Sequence, residues 1–118
     1  MIGTDIIEIE RVRHAIEKHG KHFLDRMFTK QEQADCASHK ESAVRYAGRF
    51  AAKEAIAKAL GTGFGKNLSW LDIEITNDEL GRPHAALSPT ATTHFKRPTL
   101  QLSISHCKTH ATAVALVS

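Results

Sequence analysis

The sequence predicts an α+β fold, a single domain in which a largely antiparallel sheet packs against one long helix. Three observations carry this. Early in the chain apolar residues recur at helical spacing, as Ile9, Val12 and Ile16 do at i, i+3 and i+7. Later they alternate with period two, in Leu71-Asp72-Ile73-Glu74-Ile75 and again in Leu100-Gln101-Leu102-Ser103-Ile104. Between these regions lies an alanine-rich, proline-free stretch, residues 42–60, which runs into Gly61. Helices followed by hairpin-linked strands are the order of an α+β chain. The 118 residues show no repeat, low-complexity tract or linker and suit one domain spanning 1–118.

Residues 2–7 read as a short strand with polar Thr4 and Asp5 inside it, flanked by Ile6 and Ile7, which read as buried. A helix over Ile9–His19 should stop at Gly20. Its apolar stripe leaves Arg11, His14, Lys18 and Lys21 on the opposite face. A further helical turn or two, residues 22–28, should pack through Phe23, Leu24 and Met27. Thr29-Lys30-Gln31-Glu32 is a capping box opening a short helix to about Ser38. The long helix follows over 42–60. A strand at 71–76, turn chemistry at 77–83 and a return strand at 84–87 make a hairpin. Ser88-Pro89 opens a short helix, 90–96, which Pro98 ends. Strands at 100–105 and 111–117 flank a turn at 106–110.

Composition narrows the function classes. Hydrophobic residues at 42% and charged residues at 25% are globular values. No apolar run approaches the ~20 residues that cross a bilayer, so no membrane partner is expected. The start lacks the basic and apolar regions of a signal peptide, which points to the cytoplasm. Cys36 and Cys107 read as free thiols, and the eight histidines form no zinc pattern. A net charge of +3 favours an anionic partner. Nucleic acid, a phosphorylated cofactor and an acidic protein all fit that charge. Aromatic residues are only 6%, and Tyr46 and Trp70 stand far apart, so a stacking platform for nucleic acid is missing.

The chemistry concentrates in Arg49-Phe50-Ala51-Ala52-Lys53-Glu54-Ala55-Ile56-Ala57-Lys58 and the loop after it, Gly61-Thr62-Gly63-Phe64-Gly65-Lys66. A carboxylate can hold a metal; lysines and glycine amides can hold phosphates. The bland alternative for Glu54 is a surface ion pair with Lys58, worth a few tenths of a kcal/mol. The bland alternative for Arg49, Lys53, Lys58 and Lys66 is a solvated basic face, which charge alone leaves level with phosphate binding. The loop is neither a Walker A motif nor a dinucleotide fingerprint, since it leaves a helix instead of opening one. Its glycines permit close approach of amides to a ligand, and Lys66 offsets the unfavourable helix dipole. Small alanines around Glu54 imply that another element packs closely there. Asp5 is a poor strand former and needs a partner, and a divalent cation shared with Glu54 would satisfy both. Ser105, His106 and Lys108 end a strand where phosphate contacts are expected.

These segments resemble the holo-[acyl-carrier-protein] synthase family, the small 4′-phosphopantetheinyl transferases. The matching pieces are Gly3-Thr4-Asp5-Ile6 with Glu8 to Arg11, Arg49 to Lys58, Gly61-Thr62-Gly63, Asp72 to Ile75 with Asn77 and Gly81-Arg82-Pro83, and Ser103-Ile104-Ser105-His106. The resemblance implies transfer of phosphopantetheine from coenzyme A to a serine of apo acyl carrier protein, in support of fatty acid biosynthesis. It implies Mg²⁺ on Asp5 and Glu54, with Lys58 at the phosphates. Arg49, Lys53, Gly61, Gly63, Gly65, Lys66, Ser105 and His106 would also border coenzyme A. Glu54 and Lys58 would be the catalytic pair. The base stays open between Glu54 acting through a metal-bound water, that water alone, and a Lys58 of lowered pKa. The resemblance also implies a homotrimer with interfacial sites. An acidic carrier would dock on Arg11, His14, Lys18 and Lys21. Fewer residues precede Gly3 than in the family, so the first strand is expected to be short at its edge. A small basic nucleic-acid-binding domain and an inactive coenzyme A binding module are the alternatives. Retention of both Asp5 and Glu54 argues against the second.

Overall fold

The computed structural model describes all 118 residues. Strand β1 (Ile2–Glu8) leads into helices α1 (Ile9–His19), α2 (Lys21–Met27), α3 (Lys30–Ala37) and α4 (Ser42–Ala59). A 3₁₀ turn at Trp70–Asp72 then precedes β2 (Ile73–Asn77), β3 (Pro83–Leu87), α5 (Pro89–His94), β4 (Leu100–His106) and β5 (His110–Val117). All strand pairs are antiparallel, as expected, but they form two sheets: β1-β5-β4 and β2-β3. β3 packs beside β4 without sharing a ladder. No helix is long and apolar enough to cross a membrane.

Helix α4 lies across the three-stranded sheet, and small residues set how closely. Gly3 of β1 faces the helix with Ala115, Ala113 and Ala111 of β5. Ala47, Ala51, Ala52, Ala55 and Ala59 of α4 are all buried. A Cβ at Gly3 would lie 2.7 Å from the Ala59 amide nitrogen and nearer still to the Ala55 carbonyl oxygen, so no side chain fits between strand and helix. The alanine-rich sequence around Glu54 thus reports a close backbone approach, as anticipated. Larger side chains, Ile56, Phe28, Leu68, Ile73 and Ile75, fill the other side of α4. Each such buried side chain contributes about 1.5–3 kcal/mol.

The first strand is complete. All seven of its residues pair with β5, and the terminal ammonium of Met1 donates to the Val117 carbonyl at 2.7 Å. Period two sends Ile2, Thr4 and Ile6 to the sheet's outer face, so Ile6 is 67% exposed and not buried as the sequence suggested. The capping box forms as read: the Thr29 hydroxyl accepts from the Glu32 amide, and Glu32 accepts from the Thr29 amide. Leu71 is not in a strand. Asp72 accepts from the Ser69 amide and hydroxyl and from the Ser88 hydroxyl, which closes a 3₁₀ turn and delays β2 to Ile73.

A buried ion pair ties the helices to the hairpin. Lys53 is fully buried, and its ammonium donates to Glu32 Oε1 (2.7 Å), the Met27 carbonyl (2.8 Å) and the Trp70 carbonyl (3.0 Å). The other oxygen of Glu32 accepts from the Ile75 amide at 2.8 Å. All three ammonium protons and both carboxylate oxygens are therefore spent. Removing one partner strands the other charge in the core. Lys53→Met is expected to cost about 3–5 kcal/mol by urea denaturation. The double variant K53M/E32Q should recover part of that loss. A single-variant loss below about 1 kcal/mol would contradict this account.

Candidate active site

The Gly3 contact delivers Asp5 to α4. Asp5 lies two residues along β1, on the same inward face, and its side chain is mostly covered. Lys58 Nζ donates to Asp5 Oδ1 at 3.1 Å and to the Thr4 carbonyl at 3.0 Å. Glu54, one turn before Lys58, carries no salt bridge. Lys58 reaches across to β1 instead of back along its own helix, which removes the simple surface pair. Burial and the adjacent Asp5 charge push the Glu54 carboxyl above the usual glutamate value, with Lys58 pulling the other way. Two neighbouring carboxylates of like charge are the donor set a hard divalent cation accepts. No group of three or more His, Cys, Asp or Glu side chains gathers anywhere. A two-carboxylate set suits Mg²⁺, which keeps several waters and takes phosphate oxygens as further ligands.

A second cluster lies on the far side of α4. Arg45 and Arg49, one turn apart, both donate to Asn77 Oδ1, at 3.3 and 2.9 Å. The Nε groups of both are buried without a partner, and Asp35 is 3.9 Å from Arg49. Together with Gly48, Gly81, Pro83, Ile104 and His106 they line a cavity of about 200 Å³. Two guanidiniums sharing one neutral oxygen leave positive charge and donors to spare, as an anion pocket requires. The sequence reading placed Arg49 and His106 near phosphates but missed Arg45. The i, i+4 spacing of two arginines was the available signal. Glu54 follows Arg49 by five positions, which puts them roughly 140° apart around the helix. The Asp5–Glu54–Lys58 cluster and the arginine cluster therefore face different ways within one chain.

Three of the expected ligand contacts change. Lys53 cannot touch substrate, because it is enclosed and bonded to Glu32. The glycine loop offers no free cradle of amides. Gly61 N–H donates to Lys58 O, Gly63 N–H to Ala57 O and Gly65 N–H to Leu68 O. Its glycines serve positive φ, with Gly61 at 79° and Gly63 at 66°, and Phe64 stacks on Trp70 at 3.9 Å to hold the loop down. What remains for a ligand there is the outer loop surface and the exposed Lys66. Ser105 alternates to the outer face of β4, paired with Thr112, whereas His106 reaches the pocket. On α1, Arg11, His14 and Lys18 are exposed and unpaired. Lys21 is not on that helix, since Gly20 at φ 53° breaks it, and Lys21 pairs with Asp25 (2.9 Å) and Gln33 (3.0 Å).

With this geometry in hand, comparison with known proteins decides the family. A family model described as the 4′-phosphopantetheinyl transferase superfamily matches residues 1–115. The chain belongs to that superfamily. Among curated members, the holo-[acyl-carrier-protein] synthase of Protochlamydia amoebophila (strain UWE25) is 56% identical over 99% of this chain and 96% of its own length. That of Chlamydia muridarum (strain MoPn / Nigg) is 47% identical over 98% of the chain and 91% of its own. The crystal structure of the Helicobacter pylori holo-[acyl-carrier-protein] synthase in complex with coenzyme A superposes with a TM-score of 0.92 at 39% identity, covering all of both chains. The fold is thus shared over the whole length of the chain.

Beside the pocket, the turn after His106 stabilises a thiolate. Hydrogen bonds from the Thr109 backbone N–H and hydroxyl and from the His110 N–H draw the exposed Cys107 thiol down to about 7. Burial pushes Cys36 up to about 11. The thiolate fraction of Cys107 should rise with pH through neutrality. Iodoacetamide should therefore modify one thiol of the native protein, with a rate half-maximal near pH 7, and leave Cys36 intact until unfolding. A midpoint at the ordinary thiol value of about 8.5 would show that the turn does not hold the thiolate.

Proposed function

We propose that this chain is a holo-[acyl-carrier-protein] synthase. It transfers the 4′-phosphopantetheine group of coenzyme A to a serine hydroxyl of apo acyl carrier protein, releasing adenosine 3′,5′-bisphosphate, and so serves fatty acid biosynthesis. The observation that carries the reading is the cluster of Asp5, Glu54 and Lys58 at the Gly3 contact, in a chain that matches such synthases along its whole length. One domain, residues 1–118, does the work. Its place is the cytoplasm, where Cys36 and Cys107 stay reduced.

Asp5 and Glu54 would hold Mg²⁺, whose charge offsets that of the pyrophosphate and its leaving group. Lys58, half exposed on a flexible stem, turns to the same phosphates. Arg45, Arg49 and His106 supply the separate anion pocket for a phosphate at the nucleotide end. Lys66 and the outer surface of the Gly61–Gly65 loop flank the approach. The attacking hydroxyl must lose a proton, and Glu54, a carboxylate with no salt bridge of its own, is the side chain proposed to receive it.

The two clusters point apart around α4, so one ligand can use both only when a second copy brings its pocket to this copy's Glu54. A homotrimer with interfacial sites satisfies that geometry. The outer face of β1 and β5, where Ile2, Ile6, Val114 and Leu116 stand exposed, supplies the apolar surface for it. Ser105 lies on the same face and would approach coenzyme A from there. The acidic carrier would dock on Arg11, His14 and Lys18, with Lys21 already committed to Asp25.

Two measurements test the reading. With coenzyme A, Mg²⁺ and an apo carrier protein, mass spectrometry should show the carrier gaining one phosphopantetheine. Glu54→Gln should cut that transfer by about a hundredfold or more with its circular dichroism unchanged. An unmodified carrier in a working assay sinks the proposal. Arg11→Glu should raise KM for the carrier about tenfold at low salt, with little change in kcat and a smaller effect as salt rises. An unaltered KM would remove α1 as the docking face.

A further inference from the structure

We propose that Lys58 and the divalent cation compete for Asp5, so that coenzyme A must draw Lys58 away before the metal binds tightly. Metal and coenzyme A then load cooperatively. This rests on the reading of Asp5 and Glu54 as the metal's protein ligands.

The argument starts from one oxygen. Lys58 Nζ sits 3.1 Å from Asp5 Oδ1, within a salt bridge, and anchors its second hydrogen bond on the Thr4 carbonyl. A Mg²⁺ or Mn²⁺ ion takes a carboxylate oxygen at about 2.1 Å. Sharing that oxygen would put the ammonium and the ion within about 5 Å of each other, where two positive charges repel. The two cations therefore weaken one another's hold on Asp5. Glu54, with no salt bridge, is not contested.

The pair is built to open. The Lys58 side chain is 53% exposed, so its bond to Asp5 is worth little and its stem can turn without disturbing the core. Lys53, five residues earlier on α4, shows the opposite design: it is enclosed and spends every donor. A pyrophosphate arriving over Glu54 offers Lys58 a stronger anion than Asp5. Asp5 is freed as the phosphate oxygens needed to complete the metal's coordination arrive. Each ligand thereby raises the affinity for the other by the same factor.

The test uses Mn²⁺ alone as the probe, titrated into the full chain by electron paramagnetic resonance, with and without coenzyme A. A protein-free titration corrects for chelation by coenzyme A. Without coenzyme A, Lys58→Met and Lys58→Gln should each bind Mn²⁺ about fivefold more tightly than the unaltered chain. Coenzyme A should tighten Mn²⁺ binding in the unaltered chain and do so markedly less in either variant. Equal Mn²⁺ affinity in the variants overturns the proposal. Asp5→Asn separates the two readings. If it weakens Mn²⁺ binding while both Lys58 variants bind as the unaltered chain does, only the competition fails. If Asp5→Asn leaves binding unchanged, the metal assignment fails and the competition falls with it, even where phosphopantetheine transfer persists.

Discussion

Strand β1 and helix α4 touch backbone to backbone at Gly3, and the positions of the reactive groups follow from that contact. With any side chain at residue 3, the helix would have to lift off the sheet. Asp5 is close to Glu54 and Lys58 only because the helix is down. The alanines of α4 and β5 serve the same end, since larger residues would hold the two layers at ordinary sheet–helix spacing. The close approach loses bulk from this side of the core, and the isoleucines, leucine and phenylalanine on the other side of α4 restore it.

α4 is anchored on both sides by different means. Toward the sheet it rests on small apolar residues; toward the hairpin it is tied by the fully satisfied pair of Lys53 and Glu32. Glu54 follows Lys53 immediately and has no salt bridge of its own, so the helix backbone sets its direction. The cations divide by setting. Lys53 is enclosed and bonded to Glu32, Arg45 and Arg49 crowd one amide oxygen and keep spare donors, and the half-exposed Lys58 bonds Asp5 and the Thr4 carbonyl.

Much of this was legible in the sequence. The helices, the capping box at Thr29, the stop at Gly20 and the hairpin strands depend on neighbours within a few residues, and local patterns encode them. The poor strand propensity of Asp5 signalled that it needs a partner, but not that Lys58 is the side chain that reaches it. Lys53 was misread because its partner, Glu32, stands 21 residues earlier and is brought in only by packing. Nothing local distinguishes a lysine that enters the core from one that meets a phosphate. Ile6 was misread because two adjacent isoleucines in a strand cannot face the same way, and the sequence alone did not say which faces out. The glycine amides were misread because their acceptors, Ala57, Lys58 and Leu68, are backbone carbonyls, which every residue has. Arg45 and Asn77 meet across 32 residues and became a pocket only when α4 and β2 were in place.

The strand that carries Asp5 precedes every other element described above, and its one hydrogen-bonded neighbour, β5, spans His110–Val117. During synthesis β1 must wait, its ladder groups unpaired, until nearly all of this sequence has emerged. Helices α1 to α4 can form meanwhile from local bonds, whereas closing β1 onto β5 pays for a loop of about a hundred residues. The site therefore matures late, and any nascent chain that stops before β5 holds Glu54 and Lys58 but no settled Asp5. On the proposed role of Asp5, turnover waits for β5 to emerge and the three-stranded sheet to close.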